Sequence, residues 1–348
     1  MSIYCNIQKA FGDFQLHIEF QGENEVLSLL GASGSGKSMI LRCIAGIEKP
    51  DLGQIIVDNR VLFDSQKHIN LSPQERHVGL LFQDYALFPN MTVSENIAIV
   101  MDHHYRHTLE QTLENYHLTE KQHLYPHQLS GGEKQRCAIA RMIVANPDII
   151  LLDEPFSSLD SFIKYKLEKE LFDTLKNYPK TVILVSHNRD EVYRLSDKIS
   201  IVTNGSNLPM TEKHELFSNP RNYHSALLTG CKNIYPATRN EGLIRIPDLN
   251  IAFKPDNTKH IDTDFQFIGM HANDFFYVNE TDITTEDIIT FSFHIIDTNE
   301  GLYNYYLTVQ PEGATEHLIV ELAKSKLVDL ASSTRLLGIP KSKILHLL

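Results

Sequence analysis

At 348 residues the chain is longer than one usual hydrophobic core supports, so about two domains are expected. Its 42% apolar and 22% charged residues are ordinary for a globular protein, and a net charge of −12 argues against a general nucleic-acid binder with a basic stripe. No run approaches about 18 consecutive apolar residues, the start MSIYCNIQKAFGDF lacks a signal-peptide layout, and Cys5, Cys43, Cys137 and Cys231 form no C-x-x-C pair; the expectation is a cytosolic α/β protein with reduced thiols.

Along the chain, IYCNIQ, FQLHIEF and EVLSLL read as short strands, broken at Gly22, Glu23 and Asn24. EVLSLL runs into GASGSGKS (31–38) and then MILRCIAG, an apolar helix stopping at Gly46. KPDLG is a turn, and QIIVDNRVLF reads as a strand followed by an edge segment. From about Asp84 to Asn146 the pattern becomes helical. DIILLDEP is a continuous apolar run ending in acids, as in a strand buried on both faces. FIKYKLEKELFDTLKNY has helical periodicity, with Leu167, Leu171, Phe172 and Leu175 expected on one side. KTVILVSH and KISIVTNG are two further buried strands around the helix RDEVYRLS. Strands alternating with helices predict a parallel sheet covered on both faces. Between His260 and Ala323 there is no Lys or Arg, and aromatic and β-branched residues crowd in, which predicts a second, β-rich domain built as a small barrel.

GASGSGKS matches G-x-x-x-x-G-K-[ST] between a strand and a helix. The backbone of Gly31, Ala32, Ser33, Gly34, Ser35 and Gly36, continuing through Met39, would curl around phosphate at a helix N-terminus. Lys37 would reach the outer phosphates and Ser38 would ligate Mg²⁺; the competing reading is a flexible glycine turn. In ILLDEP, Asp153 can hold the Mg²⁺ shell and Glu154 can orient or deprotonate an attacking water, with proximity raising one carboxyl's pKa. Their alternative role is to cap the next helix before Pro155. QLSGGEKQR (128–136) is a second glycine-rich loop entering a helix. Ser130 and Glu133 form a capping box, yet Gly131 and Gly132 are poor helix formers that bare N–H groups to a large anion. Cap and anion site are expected to coexist.

LSGGEKQR resembles the signature of ATP-binding-cassette ATPases, and the other cassette motifs follow in order. Gln83 in LLFQDYALFP resembles the Q-loop glutamine, a Mg²⁺ and catalytic position. SSLD (157–160), ending at Asp160, resembles the D-loop, and His187 after ILVS the switch histidine. Phe11 is the candidate to stack on adenine, with Phe14 the alternative; the family more often has Tyr or Trp there. Glu133 stands where many members carry Gln. The resemblance covers about residues 1 to 230.

It implies a P-loop nucleotide-binding domain over 1–231, with an N-terminal antiparallel β region and a helical subdomain at 84–146, and an oligonucleotide/oligosaccharide-type β domain over 232–348. It also implies a head-to-tail homodimer in which each ATP lies between one chain's GASGSGKS and the other's LSGGE, with Ser130, Gly131 and Gly132 on the γ-phosphate. The segment between Gln83 and Leu129 is too short for the long coiled coils of chromosome-maintenance members, and one acidic cassette is unlike two-cassette translation factors. A single cassette with a β-rich tail resembles the ATPase of a bacterial importer at the cytoplasmic membrane face. Its partners would be two copies of a transmembrane permease, docking near Gln83 and DYALFPNMTVSENI, and indirectly a substrate-binding protein, with no nucleic acid. The rival class is a soluble cassette ATPase acting on nucleic acid or ribosomes. NRVLFDSQKHINLSPQERHVGLLFQDYALFPNMTVSENI and LTGCKNI (228–234) resemble molybdate-importer ATPases, with tungstate, sulfate and ferric iron as alternatives. In the tail, His271 replaces a common Arg and ATRN (237–240) is a weak echo of an oxyanion motif. The tail is therefore expected to serve dimerisation and stability before oxyanion binding. His103, His104 and His107 read as a solvated helix face before a metal site.

Overall fold

The computed structural model describes residues 2–102, 107–157, 161–176, 178–255, 264–278, 287–326 and 336–348. The described chain divides into two compact units, Met1–Lys213 and His214–Leu348.

The first unit is organised by one sheet of twelve strands. In chain order these are β1 (Ile3–Phe11), β2 (Phe14–Gly22), β3 (Val26–Leu30), β4 (Leu52–Val57), β5 (Arg60–Asp64), β6 (Ile69–Asn70), β7 (Val78–Leu81), β8 (Ile149–Asp153), β9 (Val182–Ser186), β10 (Lys198–Thr203), β11 (Ser206–Asn207) and β12 (Thr211–Glu212). The sheet has two characters. The antiparallel part runs β6-β5-β4-β1-β2 and the parallel part runs β10-β3-β9-β8-β7. In β8 and β9 every residue is buried, as a strand covered on both faces requires. QIIVDNRVLF resolves into two strands joined by a tight turn at Asp58 and Asn59, both left-handed, so the outer edge belongs to β6 rather than to residues 60–64.

Between the two parts lies a narrow seam. β11 pairs antiparallel with β10 but meets β2 through one parallel residue pair, Ser206 and His17. Asn207 reinforces it: its side chain accepts from the Glu19 N–H at 2.8 Å and donates to the Glu19 carbonyl at 2.9 Å.

Helices α1 (Lys37–Ala45), α2 (Val93–Ala98), α3 (Leu109–Asn115), α4 (Gly131–Val144), α5 (Ser161–Lys176) and α6 (Arg189–Leu195) complete the unit. α1 ends at Gly46, left-handed at φ 81°. The fully buried Arg76 closes that end, donating to the carbonyls of Cys43 and Ile44 at 2.8 and 2.9 Å, a cation on a helix C-terminus. On α5, Leu167, Leu171 and Leu175 are buried at four-residue spacing, whereas Phe172 is 38% exposed. Expecting Phe172 on that face was an error: it stands five positions from Leu167, about 140° round the helix.

The second unit contains α7 (Lys213–Ser218, entered from the first unit), α8 (Tyr223–Thr229) and β13 (Asn233–Pro236), β14 (Thr238–Asn240), β15 (Leu243–Ile246), β16 (Ile251–Phe253), β17 (Phe267–Met270), β18 (Phe276–Tyr277), β19 (Ile288–Glu300), β20 (Asn304–Pro311), β21 (Leu318–Ala323), β22 (Leu336–Pro340) and β23 (Leu345–Leu347). They form sheets β13-β17-β23, β14-β15-β16 and β18-β22-β19-β20-β21, whose inner faces contribute to one core including Ile244, Ile268, Val309, Val320 and Leu337. This is the β-rich, small-barrel type of domain expected. No helix among the described residues is long and apolar enough to cross a membrane.

Candidate active site

The parallel strands β3, β9, β8 and β7 are neighbours, so whatever follows their carboxyl ends is gathered along one edge. β3 delivers residues 31–38, β9 delivers His187, β8 delivers Asp153 and Glu154, and β7 is followed two residues later by Gln83.

The 31–38 loop is held by sterics. A Cβ on Gly31 would stand 2.3 Å from the Val202 carbonyl oxygen. Gly36, the N-cap of α1, has φ 101°, and a Cβ there would lie 2.8 Å from Leu16 Cδ1 and 3.1 Å from Phe14 Cζ. Both positions therefore need glycine. Ala32, Ser33 and Gly34 are exposed, Ser35 is buried, and Met39 is half-buried. The buried Lys37 turns back into the loop: Nζ donates to the carbonyls of Gly31 and Ala32, each at 2.8 Å, and to Ser35 Oγ at 3.4 Å. Burial lowers the Lys37 pKa, partly opposed by the charges of Glu154 and Asp153. An ammonium held by carbonyl oxygens inside a glycine-walled ring of backbone fits an anion of phosphate size.

Ser38 Oγ donates to Asp153 Oδ1 at 2.7 Å, bringing together a hydroxyl and a carboxylate from elements far apart in sequence. Burial raises the Asp153 pKa, the Ser38 hydrogen bond opposes that rise, and the Glu154 charge adds to it. Burial, more than the neighbouring acid, is thus the main cause. Oxygen donors of this kind suit Mg²⁺. Gln83 is exposed.

Glu154 does not begin a helix. Its φ is +46°, unusual for a residue with a Cβ, and several bonds hold it there. Its N–H donates to the Val185 carbonyl at 3.0 Å, and its own carbonyl accepts from Ser157 N and Oγ at 3.2 and 3.0 Å. Glu154 Oε1 lies 3.0 Å from His187 Nδ1, and the histidine is half exposed. Asp160 lies outside the described residues, as do His103 and His104; His107 is exposed.

The second glycine motif is helical from its first glycine. Ser130 is the N-cap of α4; its N–H and Oγ donate to Glu133 Oε2, each at 2.8 Å, and Glu133 N donates back to Ser130 Oγ at 3.4 Å. Burial alone would raise the Glu133 pKa, but hydrogen bonds from Ser130 and Lys121 outweigh it and bring it down. Ser130 and Gly131 are exposed, and Gly132 is buried. The amides of Gly131 and Gly132 belong to a first helical turn, which has no intrahelical acceptor for them. At the β1–β2 turn, Phe11 and Phe14 face each other across the ladder. Phe14 packs under Gly36, while Phe11 is half-buried with Lys9 Nζ 5.3 Å from its ring centre.

Three residues at this edge escaped the sequence reading. Arg141 Nη2 donates to the carbonyls of Tyr85 (3.1 Å) and Ala86 (2.9 Å), a turn with φ of 64° and 42° just after Gln83, and its guanidinium lies 5.2 Å from the Phe88 ring. Asn96 accepts from the Phe88 N–H at 2.8 Å and donates to the carbonyls of Phe88, Met91 and Thr92. Gln135, on α4, donates from Nε2 to the Pro155 carbonyl at 3.1 Å. A signal was available for Gln135, the polar residue one turn before Ile139 on the buried face.

Comparison with known proteins agrees with this geometry. The family described as "ABC transporter" matches residues 15–157. The chain is 38% identical over 241 residues to the Fe(3+) ions import ATP-binding protein FbpC of Haemophilus influenzae strain 86-028NP, covering 67% of this chain and 68% of that protein. It is 36% identical over 244 residues to the spermidine/putrescine import ATP-binding protein PotA of Nitrosomonas europaea, covering 67% of this chain and 65% of that protein. A match to the sulfate/thiosulfate import ATP-binding protein CysA of Vibrio cholerae is 33% identical over 301 residues and spans 76% of this chain and 78% of that protein. Among solved structures, a dimeric ATP-binding cassette in a post-hydrolysis state with ADP and Pi superposes with a TM-score of 0.52 at 28% identity, covering 61% of this chain and 99% of that one. The chain belongs to the ABC transporter family. Within it, the chain is an ATP-binding ATPase of the import type, with ATP and Mg²⁺ as substrate and cofactor.

Proposed function

We propose that two copies pair head to tail and hydrolyse ATP at two shared sites, energising import through separate membrane subunits. One observation carries the reading. Ser38 bound to Asp153 at 2.7 Å and Glu154 beside His187 at 3.0 Å stand on the same sheet edge as a preformed phosphate loop, while the α4 N-terminus stays exposed.

Lys37 would exchange its carbonyl partners for phosphate oxygens, and the 31–36 amides would surround them. Ser38 and Asp153, with Gln83 from the loop after β7, would hold Mg²⁺, which when bound neutralises charge on the phosphate oxygens. Glu154 would orient the attacking water and accept its proton, and His187 would hold the carboxylate through Nδ1. The γ-phosphate would lie against Ser130, Gly131 and Gly132 of the partner copy, with Asp160 a further nucleotide-binding candidate. Phe11 would carry the adenine contact, because Phe14 is already engaged beneath Gly36. Glu154→Gln should keep ATP binding, lose turnover and accumulate an ATP-held dimer on size exclusion. Normal hydrolysis by that variant would end the role given to Glu154.

For cargo we infer an oxyanion, molybdate first, on the resemblance of residues 59–97 and 228–234; the sulfate/thiosulfate relative, whose match extends beyond the cassette, supports the oxyanion class. Ferric iron is the second reading, favoured by the 38% identity of the iron relative. The chain would sit at the cytoplasmic membrane face against two permease subunits, with a substrate-binding protein beyond them. Replacing it in its host by the Glu154→Gln form and measuring cell-associated molybdenum, tungsten, sulfur and iron at limiting supply separates these. Loss of molybdenum supports the first reading, and loss of iron alone replaces it. The second unit would serve dimerisation and stability; a saturable rise in Tm of the full chain with molybdate would reassign it to oxyanion sensing.

A further inference from the structure

Gln135 has no exposed surface, yet only one end of its amide is used. Nε2 donates to the Pro155 carbonyl at 3.1 Å, while Oε1 is buried with no hydrogen-bond partner among the described residues. A buried acceptor left unpaired costs free energy that an apolar side chain of the same length would not. What the glutamine holds explains its presence. Pro155 follows Glu154, whose left-handed φ of +46° persists only if its surroundings over-determine it. Two of those restraints, the Val185 carbonyl and Ser157, come from next to the turn in space or sequence. Gln135 comes from the second turn of α4, and that helix starts at Ser130 and Gly131.

We propose that Gln135 is a positioning residue that couples the two ATP sites. This rests on the head-to-tail reading, in which the first turn of α4 meets the ATP bound by the partner. A helix is stiff over one turn, so a displacement of its N-terminus by the partner's γ-phosphate moves Gln135 with it. Through the Pro155 carbonyl this shifts the Glu154 turn of the chain's own site. The carboxylate of one site is thereby set by nucleotide occupancy at the other.

The test compares the full-length wild type, Gln135→Met and Glu154→Gln in steady-state hydrolysis against ATP concentration, with thermal melts. Methionine keeps length and volume and removes the donor. The expected result is a kcat lower by about 10- to 100-fold, since small misplacements of a catalytic group have that effect. KM for ATP should stay within about twofold, and the Hill coefficient should fall from above one to one. Tm should move by less than about 4 °C. If Gln135→Met does not fold, Gln135→Leu is read in the same way. Wild-type kcat and Hill coefficient in Gln135→Met, with Glu154→Gln inactive, overturn the inference and leave the site reading intact. A wild-type Hill coefficient of one overturns the coupling, and a fall in kcat that tracks a loss of Tm or a rise in KM reduces Gln135 to a structural role. Turnover by Glu154→Gln would instead remove the reading beneath.

Discussion

The two glycine-rich elements proposed to meet phosphate differ in how finished they are. In residues 31–38 the lysine is buried and bonded, the serine is tied to Asp153, and two glycines are walled in by neighbouring atoms. At the start of α4, Ser130 and Gly131 face solvent, and Ser130 is bonded to Glu133 within the turn itself. The first element is shaped by the core of its own chain. The second is a helix end whose donors await something brought to them. On the head-to-tail proposal, a chain with one finished and one open half-site would be the building block of a two-fold assembly with two composite sites.

The sharpest way to break that comparison is to inactivate the halves separately. Lys37→Ala and Gly131→Asp should each lower kcat/KM by about 100- to 1,000-fold, the first by removing a phosphate donor and the second by placing a carboxylate where the γ-phosphate would sit. A mixture of the two inactive proteins should recover activity, up to about a quarter of the wild-type rate, because half the dimers are mixed and each carries one intact composite site, slowed further by the dead site beside it. No recovery would mean each chain works alone. Stability should divide the halves next. Gly36→Ala, with φ 101° and Leu16 Cδ1 at 2.8 Å from the added carbon, should cost about 1–3 kcal/mol in urea unfolding. Gly131→Ala, at the open helix end, should change stability by less than about 1 kcal/mol and in the stabilising direction.

A smaller effect concerns pH. Folded Asp153 keeps its proton to a higher pH than the unfolded chain does, because burial disfavours its charge. Its contribution to Mg²⁺-free stability therefore falls as pH rises from the ordinary carboxylate pKa of about 4 through the raised value. Mg²⁺ competes with that proton, so its affinity should weaken as pH falls into the same interval, as titration calorimetry would register; an affinity flat down to about pH 4 would contradict the shift. The smallest effect is in thiol chemistry. All four cysteines are buried, with Cys43 and Cys137 each pushed up to about 12 and Cys231 to about 11, so the native chain should resist alkylation at pH 8. Cys137 belongs to the small cluster around α2–α4 and Cys43 to the large central one. Under slow labelling Cys137, in the smaller of these two clusters, should react before Cys43 by peptide mass spectrometry, and the reverse order would contradict a lower local stability around α2–α4.

What could be read beforehand follows from how local each signal is. The loop at 31–38, the acids at 153–154 and the capping box at Ser130 are stretches of adjacent residues, so their chemistry and their strand or helix setting were legible together. The left-handed turn at Glu154 was not, because the contacts that hold it come from Val185 and Gln135. Arg141 reaches back across 55 residues to Ala86, and Asn96 gathers four backbone groups; a sequence gives no distance between such positions. Phe172 was misplaced for the opposite reason, since a loose apolar pattern was taken to be a wider stripe than the helix presents. The boundary between units is legible only as a change of composition, and in the structure the division falls between Lys213 and His214.

The seam at β11 has a mechanical consequence. Backbone pairing that is continuous on either side narrows to Ser206 and His17, with Asn207 as a side-chain staple. Load applied to the antiparallel strands reaches the nucleotide edge through that staple and the shared core beneath it. Cutting the staple would leave both parts of the sheet formed on their shared core, and amide exchange at Glu19 and Ser206 should quicken before exchange within β8 or β9.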